Sequence, residues 1–200
     1  MGSAKIKVVA FNGSARKDGN TALLIKSVFD VLHAEGIATE LVQLAGQTPR
    51  GCTACYQCFS KKNKRCVIQT DAVNEYIDKM LNADGIILAS PTYFSNVTSE
   101  LKALIDRSGM VARANGNMFK RKVGAAVVAV RRGGAVHVFN SINDFFFISE
   151  MIVPGSSYWN FGIGREKGEV VKDEEGMNTM KVLGENMSWV LTRVRDKTKK

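Results

Sequence analysis

Lys5-Ile6-Lys7-Val8-Val9-Ala10-Phe11 runs into Asn12-Gly13 and then into Ser14-Ala15-Arg16-Lys17-Asp18-Gly19-Asn20-Thr21. The first seven residues are mostly apolar and β-branched, the pattern of a strand covered on both faces, and Asn12-Gly13 turns the chain. From Thr21 onward Leu24, Ile25, Val28, Phe29 and Leu32 recur at helical spacing and stop at Glu35-Gly36, with Gly36 placed to end the helix. A buried strand feeding at once into an amphipathic helix is the first half of a parallel β-α-β unit. That unit sets the reading of the rest of the chain.

The same alternation continues. Residues 38–44 form a second strand, a loop rich in Gly, Pro and Cys extends to about residue 70, and Val73, Ile77, Met80 and Leu81 mark a helix opened by Thr70 or Asp71. Residues 85–89 are a third strand, and Leu101, Leu104, Ile105 and Ser108 carry a third helix. Residues 123–130 are the strongest buried strand, 136–151 a fourth helix containing Phe145-Phe146-Phe147, 156–160 a short fifth strand, and 173–195 a last amphipathic helix. Five strands alternating with five helices predict an α/β three-layer sandwich. Its five-stranded parallel sheet has right-handed crossovers and the flavodoxin-like order 2-1-3-4-5, in one domain over residues 1–200. The winding reverses between strands one and three, so a ligand is expected at their carboxyl ends.

Composition narrows the class. The 200 residues are 45% hydrophobic and 24% charged with only 3 Pro, which excludes a disordered tail, a collagen and a small disulfide scaffold. The apolar run at 123–130 has eight residues, well short of the roughly 20 a membrane helix needs. Met1-Gly-Ser-Ala-Lys-Ile-Lys7 lacks the apolar stretch of a secretory signal, so a cytoplasmic protein without a membrane partner is expected. The net charge of +9 is spread out except at residues 61–65 and 197–200. No aromatic-and-basic stripe accompanies it, which argues against nucleic acid and for small anionic cofactors and acidic redox partners.

The loop after strand one has anion-binding chemistry. Free N–H groups and the helix dipole favour a phosphate, Ser14, Asn20 and Thr21 supply hydrogen bonds, and Arg16 supplies charge. Gly13 and Gly19 stand six apart, which matches neither a P-loop nor a dinucleotide fingerprint and suits a terminal monophosphate. A plain turn and cap would use the same residue types. Strand three ends in Pro91-Thr92-Tyr93-Phe94, loop aromatics suited to a planar polar heterocycle such as an isoalloxazine or to a subunit contact. Arg131-Arg132-Gly133-Gly134 follows strand four, and Gly133 and Gly134 permit close backbone approach to the same ligand.

All four cysteines fall within fifteen residues: Cys52, Cys55, Cys58 and, after seven more residues, Cys66. Core packing would scatter them. Three Cys spaced by two and a more distant fourth resemble the ligand run of a four-iron four-sulfur cluster more than paired zinc knuckles, and unligated thiols remain the alternative. The lysines and Arg65 in the gap would offset the charge of a thiolate-bound cluster.

Together, residues 13–21, the loop at about 50–67 with its cysteine set, Ser90-Pro91-Thr92-Tyr93-Phe94 and residues 101–107 resemble the iron-sulfur flavoprotein family, within the flavodoxin-like NAD(P)H-dependent FMN reductases. The likeness is good over residues 5–134 and loose over the last third. It implies FMN at a subunit interface of a homodimer or homotetramer, with Ser14, Arg16, Asn20 and Thr21 on the phosphate and Pro91, Thr92, Tyr93 and Phe94 bordering the ring. It further implies a cluster on Cys52, Cys55, Cys58 and Cys66 that exchanges electrons with the flavin.

The expected activity is that of an oxidoreductase: a ferredoxin-like carrier, the cluster, FMN and a small-molecule acceptor in series, with no side-chain acid or base required. The rivals are an NAD(P)H-dependent FMN or quinone reductase in which the cysteines are bystanders, and a non-enzymatic electron carrier. His33 and His137 are the only histidines, and neither is assigned a catalytic role.

Overall fold

The computed structural model describes residues 5–197, with only the backbone of 196 and 197; residues 1–4 and 198–200 lie outside, and with the latter goes part of the C-terminal basic run. Five strands, β1 (Lys7–Asn12), β2 (Ala38–Gln43), β3 (Gly85–Pro91), β4 (Val123–Val130) and β5 (Phe161–Ile163), form one sheet in the order β2-β1-β3-β4-β5. Every pairing is parallel. Among the described residues no helix is long and apolar enough to cross a membrane.

Strand alternation divides the core. Val9, Phe11, Ile86, Leu88, Ala126 and Val128 point to one face; Val8, Ala10, Ile87, Ala89, Ala125 and Val127 point to the other. Helices α3 (Val73–Leu81), α4 (Ser99–Ala114) and α5 (Ala135–Ile148) cover the first face, and α1 (Asn20–Ala34) with α6 (Glu174–Lys197) covers the second. A sheet buried on both faces explains why its central strands are apolar throughout. Helix α1 ends as expected, with Gly36 at φ +73 just beyond Glu35, in the left-handed conformation that costs glycine least.

Two expectations need correction. The fifth strand is not at 156–160: Tyr158 and Trp159 form an exposed aromatic cluster with Phe161, and pairing begins only where Phe161 meets Val128. The count of five helices is also short by one, because Gln57–Lys61 forms a small helix, α2, inside the cysteine loop. Its five residues bury none of their side chains, so no apolar periodicity marked it. Asp71 does help open α3, accepting from Val73 N at 3.2 Å, although Ala72 holds the cap position.

Candidate functional site

The loop after β1 is built by side chains that hold backbone. Asn12, fully buried at the end of β1, accepts from Ser14 N at 3.0 Å, and the Ser14 hydroxyl accepts from Arg16 N at 3.1 Å. Gln43, at the end of β2, accepts from Asn12 Nδ2 at 2.9 Å and donates to Ser14 O at 2.6 Å. Gly13 N donates to Ala89 O at 2.8 Å, fixing the loop to β3. The chain then enters α1 through Gly19, with no side chain capping the helix and no acid in its first turn. The first N–H groups of α1 therefore have no intrahelical partner and face the loop.

These groups line a cavity of ≈ 200 Å³ with walls from the carboxyl ends of β1, β3, β4 and β5. Of the sequence-nominated residues it gathers Ser14, Arg16, Asn20, Thr21, Pro91, Thr92 and Tyr93. Arg16 is exposed and has no acidic partner among the described residues. Thr92 N is tied to Ala129 O at 2.8 Å, whereas Thr92 Oγ1 is buried with no hydrogen-bond partner. An orphaned hydroxyl of this kind costs free energy until a ligand satisfies it. An uncapped helix end, a free guanidinium and an orphaned hydroxyl fit a phosphate monoester joined to a polar ring.

Three nominated residues stand outside the cavity. Phe94 is fully exposed at the tip of a tight turn closed by Tyr93 and Asn96, and both Phe94 (φ 48) and Ser95 (φ 58) are left-handed without being glycine. Gly134 lies against this turn, and Gly133 just before it faces open space. Gly134 has φ +87, and a Cβ there would meet Ser95 Oγ at 2.6 Å, so its role is to let the two loops touch. Arg131 is the member of this segment that reaches the cavity.

Asn20 has its side chain fully engaged elsewhere. Nδ2 donates to Gly164 O and Glu166 O, both at 3.0 Å, and Oδ1 accepts from Gly168 N at 2.9 Å and Val170 N at 3.4 Å. It fastens the loop after β5 to the start of α1, and that loop brings Gly164 and Arg165 into the cavity wall. Sequence reasoning missed both residues, since nothing local marks a loop closed by a partner more than 140 residues away.

The cysteine loop starts at the same sheet edge, where Leu44 N donates to Asn12 O at 3.0 Å, and then packs on α4. Cys52 and Cys55 are exposed; Cys58 and Cys66 are half-buried. The backbone N–H of Gln57 holds the Cys55 thiol below its ordinary value, while burial pushes Cys58 up. Four thiols are the right donor chemistry for an iron-sulfur cluster. In the described conformation they do not form its ligand set, for no three Cys, His, Asp or Glu side chains among the described residues are gathered as a metal site.

A family model for NADPH-dependent FMN reductases matches residues 6–166. An iron-sulfur flavoprotein of Methanocaldococcus jannaschii is 37% identical over 197 residues, covering 95% of this chain and all of its relative. This chain belongs to the iron-sulfur flavoprotein family, within the NADPH-dependent FMN reductases. A second relative, the iron-sulfur flavoprotein of Methanosarcina thermophila, is 35% identical over 95% of this chain and 97% of its own length. A flavodoxin-like architecture is shared with the flavodoxin, WrbA-like protein of Agrobacterium tumefaciens, at TM-score 0.65 and 13% identity over 96% of this chain and 99% of that one. The protein is an oxidoreductase of the FMN flavoprotein class.

Proposed function

We propose that the protein binds FMN with its phosphate on residues 14–21 and its ring against Pro91, Thr92 and Tyr93, and relays electrons from a ferredoxin-like carrier to a small-molecule acceptor. The observation that carries this reading is the cavity in which the uncapped α1 N-terminus, Arg16 and the orphaned Thr92 Oγ1 converge. Bound FMN mediates between one- and two-electron chemistry, and the chain supplies position and electrostatics. Ser14, Thr21 and the first-turn N–H groups bind the phosphate, Arg16 neutralises it, and Tyr93 shields the ring from water. No side chain in the cavity is placed as a general acid or base.

The cysteine content and the names of the relatives support a four-iron four-sulfur cluster on Cys52, Cys55, Cys58 and Cys66 as the entry point for single electrons. Because the thiols are not gathered in this conformation, the loop must rearrange to take the cluster up. The same fact, with the family's NADPH dependence, favours as second reading a reductase that receives hydride from NADPH and works without a cluster.

A homodimer or homotetramer is part of the proposal. Phe147, Ile148, Tyr158 and Trp159 are exposed around α5, beside grooves of ≈ 580 and ≈ 590 Å³. The deciding experiment is an anaerobic preparation assayed for FMN, iron and sulfide on one sample, then offered reduced ferredoxin or NADPH. One FMN per chain is expected. A protein that neither carries nor takes up FMN refutes the proposal, and rapid NADPH oxidation by iron-free material selects the second reading.

A further inference from the structure

Arg107, on α4, is 1% exposed and is the largest fully buried side chain among the described residues. All of its polar contacts go to the stems of the cysteine loop. Nη1 donates to Arg50 O at 3.1 Å and to Asp71 Oδ2 at 2.5 Å, Nη2 to Ile68 O at 3.0 Å, and Nε to Cys66 Sγ at 3.4 Å. Asp71 accepts in turn from Arg50 N at 3.0 Å, which closes the base of the loop. Burial works against the charge of Arg107, but its bonds to Asp71 and Cys66 outweigh it. Apolar residues of similar volume often stabilise a core as well as a buried ion pair does, so packing alone gives little reason for a guanidinium here.

Asn74, also buried, completes the hold on Cys66. Its Oδ1 accepts from Cys66 N at 2.8 Å, and its Nδ2 donates to Cys66 O at 3.0 Å and Ile68 O at 3.1 Å. Cys66 is thus fixed at nitrogen, oxygen and sulfur. The other three cysteines have no such hydrogen-bonded anchors of their own: Cys52 and Cys55 are exposed, and Cys58 lies half-buried on the short α2, while the side contacts of the arm that carries them come near its far stem, where Lys64 N donates to Asn115 Oδ1 at 3.0 Å and Arg65 pairs with Asp78. That arm bends through Ala54, Tyr56, Lys62 and Lys64, all at positive φ (51, 53, 45 and 62), a region L residues rarely adopt.

We propose that Arg107, with Asn74, is the positioning residue of the cysteine loop, fixing Cys66 as the stationary ligand onto which Cys52, Cys55 and Cys58 close when a four-iron four-sulfur cluster is taken up. This rests on the cluster reading above. The Nε–H···S bond also places a donor on a cluster ligand, one of the levers by which a protein raises cluster potential.

The test compares wild type, Arg107→Lys and Asn74→Ala. Lysine retains a cation for Asp71 but lacks the planar fork that reaches Cys66 and both stems. Cluster-free protein is alkylated with N-ethylmaleimide and each cysteine followed by peptide mass spectrometry, with Cys52 as internal reference. Wild type is expected to label Cys66 slowest. Both variants are expected to raise Cys66 labelling about tenfold relative to Cys52, the effect of losing one good hydrogen-bonded anchor. After anaerobic reconstitution with ferrous iron and sulfide, Arg107→Lys is expected to lose iron to a chelator faster and to show a more negative cluster potential, with FMN binding unchanged.

Equal Cys66 labelling in wild type and Arg107→Lys overturns the anchor whatever the iron content. If that variant does not fold, unchanged labelling in Asn74→Ala overturns it instead. Failure of wild type to take up iron, with the labelling contrast intact, sinks the cluster reading while the anchor stands. An unchanged cluster potential and iron release in Arg107→Lys removes Arg107 from any part in holding the cluster.

Discussion

Replacing Asn20 by alanine separates two roles that the sequence alone runs together, phosphate ligand and loop clamp. The side chain makes three hydrogen bonds at 2.9–3.0 Å and one at 3.4 Å, all to backbone of residues 164–170. At about 0.5–1.5 kcal/mol net for each of the three shorter bonds, less where water replaces the partner, the loss is about 2–3 kcal/mol. For a chain of this size that corresponds to a fall in Tm of about 5–10 °C. The loss is expected in the flavin-free protein, measured by urea and thermal unfolding. FMN and riboflavin, titrated by flavin fluorescence, should weaken by similar factors, because freeing Gly164 and Arg165 loosens the cavity wall without removing a phosphate donor. An apo protein of unchanged stability that has lost affinity for FMN but not for riboflavin would show that Asn20 holds the phosphate itself.

Arg16→Ala should do the opposite, weakening FMN roughly 10–100-fold for one lost charge-assisted bond while leaving riboflavin affinity and apo stability unchanged in the same titrations. Gly134→Ala should displace the turn at Phe94 and Ser95 and weaken flavin binding about 5- to 150-fold, as strain of about 1–3 kcal/mol implies, whereas Gly133→Ala, with open space around it, serves as the neutral control. Asp71 gives a pH dependence with a defined sign. Burial pushes its carboxyl up, but Arg107 and the N–H groups of Arg50 and Val73 outweigh this and hold it below the usual carboxylate range. A carboxyl lowered in the folded state contributes stability that is present above the ordinary value of about 3.9 and is lost as pH falls through the folded value. Asp71→Asn should therefore be less stable than wild type by about 3–5 kcal/mol at pH 7, and the gap measured by urea unfolding should narrow below about pH 4. A gap independent of pH would remove the ion pair from the account.

Strand order and the place of the loop after β1 at the cavity were legible because each rests on local pattern. Apolar runs of four to eight residues separated by helical spacing leave few topologies, and the loop at 13–21 sits where the winding of such a sheet reverses. What escaped depends on long-range closure. β5 pairs over three residues only, and the exposed aromatics just before it look more strand-like than the Phe161–Ile163 segment that does pair. Gly164 and Arg165 enter the cavity only because Asn20 pulls their loop across the fold. Arg107 had a signal of a kind: it falls within the buried stripe of α4 that includes Leu101, Leu104, Ile105 and Ser108. A cation on such a stripe requires a buried partner, though spacing does not say which acid it is.

The site and the cysteine loop are mechanically joined through the end of β2. Gln43 holds both Asn12 and Ser14, and the next residue, Leu44, donates to Asn12 from the point where the cysteine loop begins. Arg107 and Asp71 beneath α4 clamp the loop's two stems together, Arg50 on one side and Ile68 on the other. Any rearrangement of residues 51–65 therefore takes place above a base closed in the core, whose first stem leads back to the strand end that holds the loop after β1. An arm closed at its base in this way can reorganise without altering the register of β1, β2 or β3, at the cost of the side contacts of Lys64 with Asn115 and Arg65 with Asp78. The strained, exposed arm and the rigid cavity answer different demands. In the proposed relay, taking up a cluster requires a segment of low local stability, whereas holding a flavin phosphate requires donors that do not move.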